Sequence, residues 1–184
     1  MDNISKKNTP PIISIVGLSG TGKTNLLERL IPEFTRRGFR VGTVKHHRHR
    51  FEMDQPGKDS WRHKHAGAAV AIISSPYRIG MIKDVDHDHR PEELAPFFCG
   101  VDIILTEGYK QDHNPKIEVF RPKADGGEPI LRDDVHLVAL VSDAKVDLDV
   151  PKFSTDDIEA LADFVIDNFN LTPPALNQQL EAAS

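Results

Sequence analysis

The stretch IISIVGLSGTGKTNLLERLI, residues 12–31, decides the fold of this chain. Its first five residues are nearly all apolar and β-branched, which predicts a strand that is buried on both faces within a parallel sheet. Leu26, Leu27 and Leu30 then follow with helical spacing, and Gly38 lies where that helix would end. A strand that leads directly into an amphipathic helix is the first half of a β-α-β unit, so the chain begins as an α/β protein.

The turn between this strand and this helix, residues 17–24, is GLSGTGKT and matches the phosphate-binding pattern GxxxxGK[ST], the P-loop. Glycines let the backbone turn so that N–H groups point at phosphate oxygens, and the start of the helix adds a favourable dipole. We expect Lys23 to reach the β- and γ-phosphates and Thr24 to place its hydroxyl on Mg²⁺. A glycine-rich turn without a ligand is the alternative, and the flanking strand and helix argue against it. The predicted nucleotide-binding residues of this loop are Gly17, Gly20, Thr21, Gly22, Lys23 and Thr24, and Lys23 is also a predicted catalytic residue.

The rest of the chain continues the alternation of strands and helices. Residues 40–45 complete the first β-α-β unit, which is right-handed in nearly all known proteins. Further strands are predicted at residues 69–74, 78–82, 101–106, 116–121 and 137–142, with short helices near 59–65 and 92–98. A last helix is expected after Ser154 and Thr155, where either hydroxyl could cap it. The predicted fold is therefore α/β and P-loop NTPase-like, with a mostly parallel sheet and helices on both faces.

Length and composition restrict the class of protein. The chain has 184 residues, 39% of them hydrophobic, and a formal net charge of -5. This size suits one nucleotide-binding domain, expected over residues 10–170, between a disordered tail at 1–9 and a flexible tail at 171–184. The negative charge argues against nucleic-acid binding. Because no apolar run resembles a signal peptide or membrane span and Cys99 is the single cysteine, we expect a cytoplasmic protein without membrane contact, with Cys99 as a small core residue.

Acidic side chains occur where strands are predicted to end, at the edge where open α/β sheets bind ligands. Glu107 follows the strand at residues 101–106. We predict that it accepts a hydrogen bond from Mg²⁺-bound water or orients the attacking water, as a catalytic and metal-site residue. Asp54, in the polar stretch after the second strand, is predicted to contact Mg²⁺ directly or through water, and Asp84 is a candidate for the same nucleotide site. An ordinary strand end or a solvated loop is the alternative for each.

Asp143 provides the sequence's only indication of base preference. It follows a predicted strand, and a carboxylate there could accept hydrogen bonds from both N1–H and the exocyclic amine of guanine. Adenine offers no such pair of donors. A simple aspartate turn or cap is an equal alternative, and the NKxD guanine signature is absent. Asp102, at the far end of its strand from this edge, is interpreted as structural.

These residues together resemble the family of molybdopterin-guanine dinucleotide biosynthesis protein B, or MobB. The resemblance spans about residues 12–169 and lies in GLSGTGKTNLLERLIP, VGTVKHHRH, DQPGKDSWRHKHAGA, DIILTEGYK, PKIEVFR, and LVSD with the closing helix. The joint occurrence of DQPGKDS and EGYK is far more specific than the P-loop alone. The chain differs from the family pattern in its histidine-richer loops and in its proline-containing C-terminal tail.

The resemblance implies a GTP-binding accessory protein with slow, Mg²⁺-dependent GTPase activity, usually a homodimer, acting in molybdenum cofactor biosynthesis. Family members assist the guanylyltransferase MobA, which joins GMP to molybdopterin, so that enzyme is an implied partner and molybdopterin a further candidate. Residue by residue, the family's phosphate site falls on Gly17 and on residues 20–24, with Asp54, Asp84 and Glu107 around Mg²⁺.

Two other functions stay open from the residues alone. His46, His47 and His49, together with the segment DVDHDH at residues 84–89, are compatible with a metal-delivery GTPase that carries nickel or zinc. Arg48 and Arg50 argue against a cation at the first of these segments. A small-molecule kinase is the second alternative, since the same loop serves phosphoryl transfer to a hydroxyl, although the sequence identifies neither a catalytic base nor an acceptor pocket for it.

Overall fold

The computed structural model describes residues 9–123 and 127–173. The chain forms two compact units, a main unit that comprises the residues up to His46 and from Arg90 onward, and a hairpin unit that comprises residues 47–89. The expectation of a single domain over residues 10–170 stays a prediction. The predicted tails fall largely on residues 1–8 and 174–184, which lie outside the described part of the chain.

The elements follow the order expected of an α/β protein. They are β1 (Ile12–Val16), α1 (Lys23–Arg36), β2 (Val41–Lys45), α2 (Asp59–His65), β3 (Val70–Ser74), β4 (Ile79–Lys83), α3 (Pro91–Leu94), the 3₁₀ helix Ala95–Phe97, β5 (Ile103–Glu107), β6 (Lys116–Val119), β7 (Leu137–Val141), β8 (Lys152–Phe153) and α4 (Ile158–Asn168). No helix among the described residues combines the length and the apolar character needed to cross a membrane.

The sheet of the main unit has six strands in the order β2-β5-β1-β6-β7-β8, and every neighbouring pair is parallel. The predicted mostly parallel sheet is confirmed. Since β1 lies between β5 and β6, the loop that leaves the carboxyl end of β1 is flanked by the carboxyl ends of both neighbours. The strand order therefore places the P-loop, residues 17–24, between the ends of β5 and β6.

Alternate residues of the central strands point to opposite faces of the sheet. Ile13 and Ile15 of β1 face a fully buried cluster that includes the apolar sides of α1 and α4. On β2, Val41 packs against this cluster, whereas Gly42 faces the other side and contacts the ring of Phe98, which follows the 3₁₀ helix. The two long helices therefore cover one face, and the segment that ends in Phe98 packs on the other.

The hairpin unit contains a separate antiparallel pair, β3 and β4, against which α2 packs. In its register Ile72 lies opposite Met81, and Ser74 lies opposite Ile79. The sequence predicted both strands but not that they pair only with each other. Ile72 is 59% exposed and Ile79 is 73% exposed, so one face of this hairpin presents apolar side chains to solvent.

Three details differ from the sequence analysis. The final helix begins at Ile158 without a side-chain cap, because the Thr155 hydroxyl donates to Asp143 instead and residues 154–157 form a turn. Cys99 is exposed rather than buried, since it lies in the turn before β5 where Gly100 has a φ of +81°. The two-residue strand β8 was not predicted. Most predicted strand ends are within two residues of those observed.

Candidate functional site

The P-loop lies between β1 and α1, as predicted. Gly17, Gly20 and Gly22 have φ values of +140°, +79° and +104°, which residues with a Cβ rarely adopt. The Thr21 hydroxyl donates to the carbonyl of Leu18 at 3.0 Å and closes the turn. A Cβ added at Gly20 or Gly22 would meet no atom within 4 Å. The glycines therefore form an open cradle beside the first turn of α1, which suits an anion.

The Lys23 ammonium folds back over this loop. Its Nζ donates to the carbonyl oxygens of Gly17 at 3.0 Å and Leu18 at 2.7 Å. Burial lowers the pKa of Lys23, the nearby charge of Glu107 raises it, and that of Lys45 lowers it further, with a net decrease. The ammonium is thus positioned by the backbone of the loop itself, which fits its predicted contact with phosphate oxygens.

Glu107, at the end of β5, lies next to the first turn of α1. Thr24 Oγ1 donates to Glu107 Oε2 at 3.0 Å, across 83 residues of sequence. The other carboxylate oxygen accepts from Lys45 Nζ, and Lys45 lies opposite Glu107 in the register of β2 with β5. Glu107 is only 7% exposed. The structure therefore brings together Lys23, Thr24 and Glu107, three of the predicted site residues, and places Lys45 beside Glu107.

The turn after β5 approaches β2 closely. Gly108 has a φ of +113°, and a Cβ there would lie 3.0 Å from the Cβ of His46. The His46 ring stacks on Tyr109, with 4.3 Å between ring centroids. Gly108 N–H also donates to the carbonyl of Ile15 at 3.1 Å. These contacts hold Glu107 at the carboxyl end of β1, and they show why a glycine follows it.

The donor set at this point fits a magnesium-bound triphosphate. Mg²⁺ prefers hard oxygen ligands and is commonly held by one or two side-chain oxygens together with substrate phosphates. The Thr24 hydroxyl and the Glu107 carboxylate are such ligands and are in contact with each other. The glycine cradle and the Lys23 ammonium supply N–H donors and positive charge for the phosphates. The predicted magnesium contact of Thr24 and Glu107 is chemically consistent with these positions and stays a prediction.

Asp143 lies just beyond β7 and binds the chain before α4. Its two carboxylate oxygens accept from the Thr155 N–H at 2.9 Å and from the Thr155 hydroxyl at 2.8 Å. Both hydrogen bonds lower the pKa of Asp143, and the one from the Thr155 N–H has the larger effect. The turn or cap interpretation thus describes the contacts observed, and guanine recognition by Asp143 stays a prediction.

Asp54 and Asp84 belong to the hairpin unit. Asp54 Oδ1 accepts from the Gln55 N–H at 2.8 Å, and Asp84 forms an ion pair with Lys64. Their predicted places around Mg²⁺ and at the nucleotide edge stay predictions. The metal-delivery alternative gains no support from residues 9–123 and 127–173, within which no group of three or more His, Cys, Asp and Glu side chains could hold a metal ion.

Asp102 has the structural role that its position suggested. Its carboxylate accepts from the Arg40 N–H at 2.7 Å and from the Arg40 guanidinium at 2.9 and 3.1 Å. This ties the start of β5 to the start of β2, at the edge remote from the P-loop.

A cavity of about 400 Å³ lies beside the P-loop, and its lining was not predicted from the sequence. Thr21 and Gly22 line it, together with Arg29 of α1, Arg121 after β6 and Asp156 before α4. Their sequence positions could have indicated these residues. Arg121 and Asp156 each lie shortly after a strand of the parallel sheet, where side chains converge at the ligand-binding edge.

Comparison with known proteins adds independent information. The family model of MobB, molybdopterin guanine dinucleotide synthesis protein B, matches residues 12–143. A molybdopterin-guanine dinucleotide biosynthesis adapter protein of Escherichia coli K12 is 38% identical over 168 residues, which cover 88% of this chain and 94% of that protein. The protein of the same name from Haemophilus influenzae is 34% identical over 164 residues, with 88% and 91% covered.

A solved structure agrees with these matches. The crystal structure of Bacillus subtilis MobB superposes with a TM-score of 0.68 at 26% identity, and the match covers 88% of this chain and 98% of that one. The P-loop NTPase-like fold predicted from the sequence is therefore confirmed, and so is the predicted family. From its matched residues, its relatives and its fold, this chain belongs to the MobB family, molybdopterin guanine dinucleotide synthesis protein B.

Proposed function

We propose that this protein is a cytoplasmic GTP-binding adapter in the synthesis of molybdopterin guanine dinucleotide, with weak GTPase activity. The observation that carries the nucleotide part is the contact of Thr24 Oγ1 with Glu107 Oε2, 3.0 Å long, at the mouth of an open P-loop. The names of the relatives in Escherichia coli and Haemophilus influenzae support the adapter part. We infer that the partner is a MobA-type guanylyltransferase, with molybdopterin as a further candidate ligand.

In this proposal, different residues bind the phosphates and the Mg²⁺ ion. Backbone N–H groups of the P-loop and the Lys23 ammonium hold the phosphates, while Thr24 and Glu107 face the position expected for Mg²⁺. Thr24 and Glu107 would hold Mg²⁺, which would offset the negative charge of the phosphates. Lys45 pairs with the second oxygen of Glu107 and occupies a position at which this carboxylate could otherwise bind water. A nearly buried carboxylate that already has two partners supports slow rather than fast hydrolysis.

Replacing Glu107 with Gln tests this assignment. We expect GTP hydrolysis to slow by about 100-fold, within the range found for catalytic acid–base groups, because an amide orients water and contacts Mg²⁺ less well than a carboxylate. The dissociation constant for GTP should change by less than about 3-fold, since the phosphates are held mainly by the loop. Phosphate release under single-turnover conditions and calorimetric titration measure the two quantities.

Asp102→Asn is the matched control for Glu107→Gln, because Asp102 lies just before the other end of the same strand, next to Arg40. It should leave hydrolysis and GTP affinity unchanged. An unchanged hydrolysis rate in Glu107→Gln would assign Glu107 to structure alone.

We further propose that the protein is a homodimer joined through the hairpin unit. Ile72 and Met81 face each other in register on the same side of the hairpin as Ile79, and all three are exposed. Two-stranded hairpins are only marginally stable in water by themselves. An apolar face on such a hairpin favours packing against another protein surface, and a second copy supplies an identical apolar face.

Placing a charge on this face should dissociate the dimer. We expect Ile72→Asp to shift the protein from dimer to monomer at micromolar concentration in sedimentation velocity, because the interface would bury an unpaired carboxylate. Val135→Asp is the control, since Val135 is an equally apolar side chain, 89% exposed in the main unit, and should leave the dimer intact. A monomeric wild type, or an Ile72→Asp variant that stays dimeric, would contradict the proposal.

A further inference from the structure

The cavity beside the P-loop continues directly from the residues that form the phosphate cradle. Its volume of about 400 Å³ falls within the range of about 300–1,000 Å³ that is typical of small-molecule sites. Thr21 and Gly22 form one side of it. A nucleotide with its phosphates on this loop has to place its ribose and base somewhere beyond them, and this cavity adjoins the loop on the side of β6 and β7.

A hydrogen-bonding network holds Arg29, Thr155 and Asp156 of the cavity lining in place. Arg29 Nη1 donates to Asp156 Oδ1 at 3.0 Å and to the Thr155 carbonyl at 2.7 Å. Asp143 fixes Thr155 through both of its carboxylate oxygens. The Asp156 side chain is 86% exposed, and within the described residues only its Oδ1 has a side-chain partner. Asp156 therefore has a defined position, and because a carboxylate can accept about four hydrogen bonds, both of its oxygens can accept more.

The rest of the lining suits a flat heterocycle. Leu26, Val119 and Val141, all buried, provide apolar surface to the cavity. Arg121, whose charge helps to lower the pKa of Asp143, contributes a cation. A ring that suits this lining would offer acceptors to Arg121 and donors to Asp156.

Guanine has this distribution of groups. Its O6 and N7 are acceptors, whereas N1–H and the 2-amino group are adjacent donors; adenine has an acceptor at N1 and no 2-amino group. A site that hydrogen-bonds a donor on its ligand discriminates strongly against analogues that lack the donor, because the site's acceptor is then left unpaired. The carboxylate of Asp156 is an acceptor of this kind.

We propose that the cavity is the base subsite of the nucleotide, and that Asp156 selects guanine by accepting hydrogen bonds from N1–H and the 2-amino group. Arg29 and Asp143 are positioning residues in this account, because they hold Asp156 and Thr155 rather than the base. The inference rests on the proposed function, since it assumes that a nucleotide binds with its phosphates on the P-loop. It places base recognition at Asp156 instead of Asp143.

Calorimetric titration of the full chain with three ligands, each with Mg²⁺, tests the inference. GTP presents both donors, ITP lacks the 2-amino group, and inorganic triphosphate has no base. We expect the wild type to prefer GTP over ITP by about 10-fold, as for the loss of one hydrogen bond to a charged group. In Asp156→Asn this preference should fall to less than about 2-fold, while the affinity for triphosphate stays within about 2-fold of the wild type.

Asp163→Asn is the matched control, because Asp163 forms the same kind of exposed ion pair, with Arg37, outside the cavity. It should keep the full preference for GTP. Asp143→Asn should weaken GTP and ITP alike, as expected for a positioning residue. An Asp156→Asn variant that retains the preference for GTP over ITP, or that loses triphosphate affinity to the same degree as GTP affinity, would overturn the base assignment.

The same titrations distinguish a wrong phosphate site from a wrong base assignment. If the wild type bound neither GTP nor triphosphate, the phosphate site would be wrong and the base subsite with it. If triphosphate bound and the GTP preference were independent of Asp156, the phosphate site would stand and only this inference would be overturned. A preference that disappears in Asp143→Asn but persists in Asp156→Asn would return guanine recognition to Asp143.

Discussion

Lys23→Ala should lower the affinity for GTP and for inorganic triphosphate by about 100-fold. The ammonium is held over the P-loop by two backbone carbonyls, so it needs little rearrangement to reach phosphate oxygens. Charge-assisted hydrogen bonds contribute about 1.5–3 kcal/mol each, and removal of two of them at the lower limit of this range accounts for the loss. Isothermal titration calorimetry with each ligand in the presence of Mg²⁺ measures it.

Lys152→Ala is the control for Lys23→Ala, because Lys152 is an exposed lysine of the same unit whose Nζ also donates to a backbone carbonyl, that of Leu148. It should leave both affinities unchanged. Undiminished binding of triphosphate by Lys23→Ala would contradict the phosphate site.

Gly17→Ala should be the most disruptive single-methyl change in the loop. A Cβ at Gly17 would lie 2.3 Å from the carbonyl oxygen of Val119, at a φ of +140° that side chains rarely adopt. Overpacking of this kind and backbone strain each cost about 1–3 kcal/mol, so we expect a loss of about 3 kcal/mol in the free energy of unfolding, and loss of triphosphate binding. Urea unfolding followed by circular dichroism measures the stability.

Gly20→Ala measures the cost of a positive φ without the steric overlap expected in Gly17→Ala. Gly20 has a φ of +79° and open space where its Cβ would be, so only the conformational cost of about 1–2 kcal/mol applies. Equal free energies of unfolding for Gly17→Ala and Gly20→Ala would contradict a steric effect of the close approach between Gly17 and Val119.

The sequence predicted the local parts of the fold well. The strand, glycine loop and helix at residues 12–36 are contiguous, and their signals are strong because each lies in one uninterrupted run of residues. The parallel start of the sheet followed from the helix α1 between β1 and β2, whereas no helix separates β5 from β6 or β6 from β7 within the described residues. The pairing of β3 with β4 in a unit of their own was not predictable in this way, since two apolar runs give no information on which strands they pair with. The strand β8 is too short to produce a pattern.

Contacts between distant segments account for the other omissions. Thr24 and Glu107 are 83 residues apart, yet general topology predicted that both reach the same edge of the sheet. The pair of Arg29 with Asp156 joins residues 127 positions apart, and nothing in the local sequence distinguishes either from a solvated charge. Cys99 was assigned to the core from its apolar neighbours, whereas the turn at Gly100 exposes it.

The adapter claim is tested most directly by reconstitution of molybdopterin guanine dinucleotide synthesis with a purified MobA-type guanylyltransferase, molybdopterin and limiting GTP. The rate of product formation is measured without this protein, with the wild type and with Lys23→Ala. We expect the wild type to increase the rate and Lys23→Ala to leave it unchanged. Equal stimulation by Lys23→Ala, or no stimulation by the wild type, would contradict a GTP-dependent adapter function.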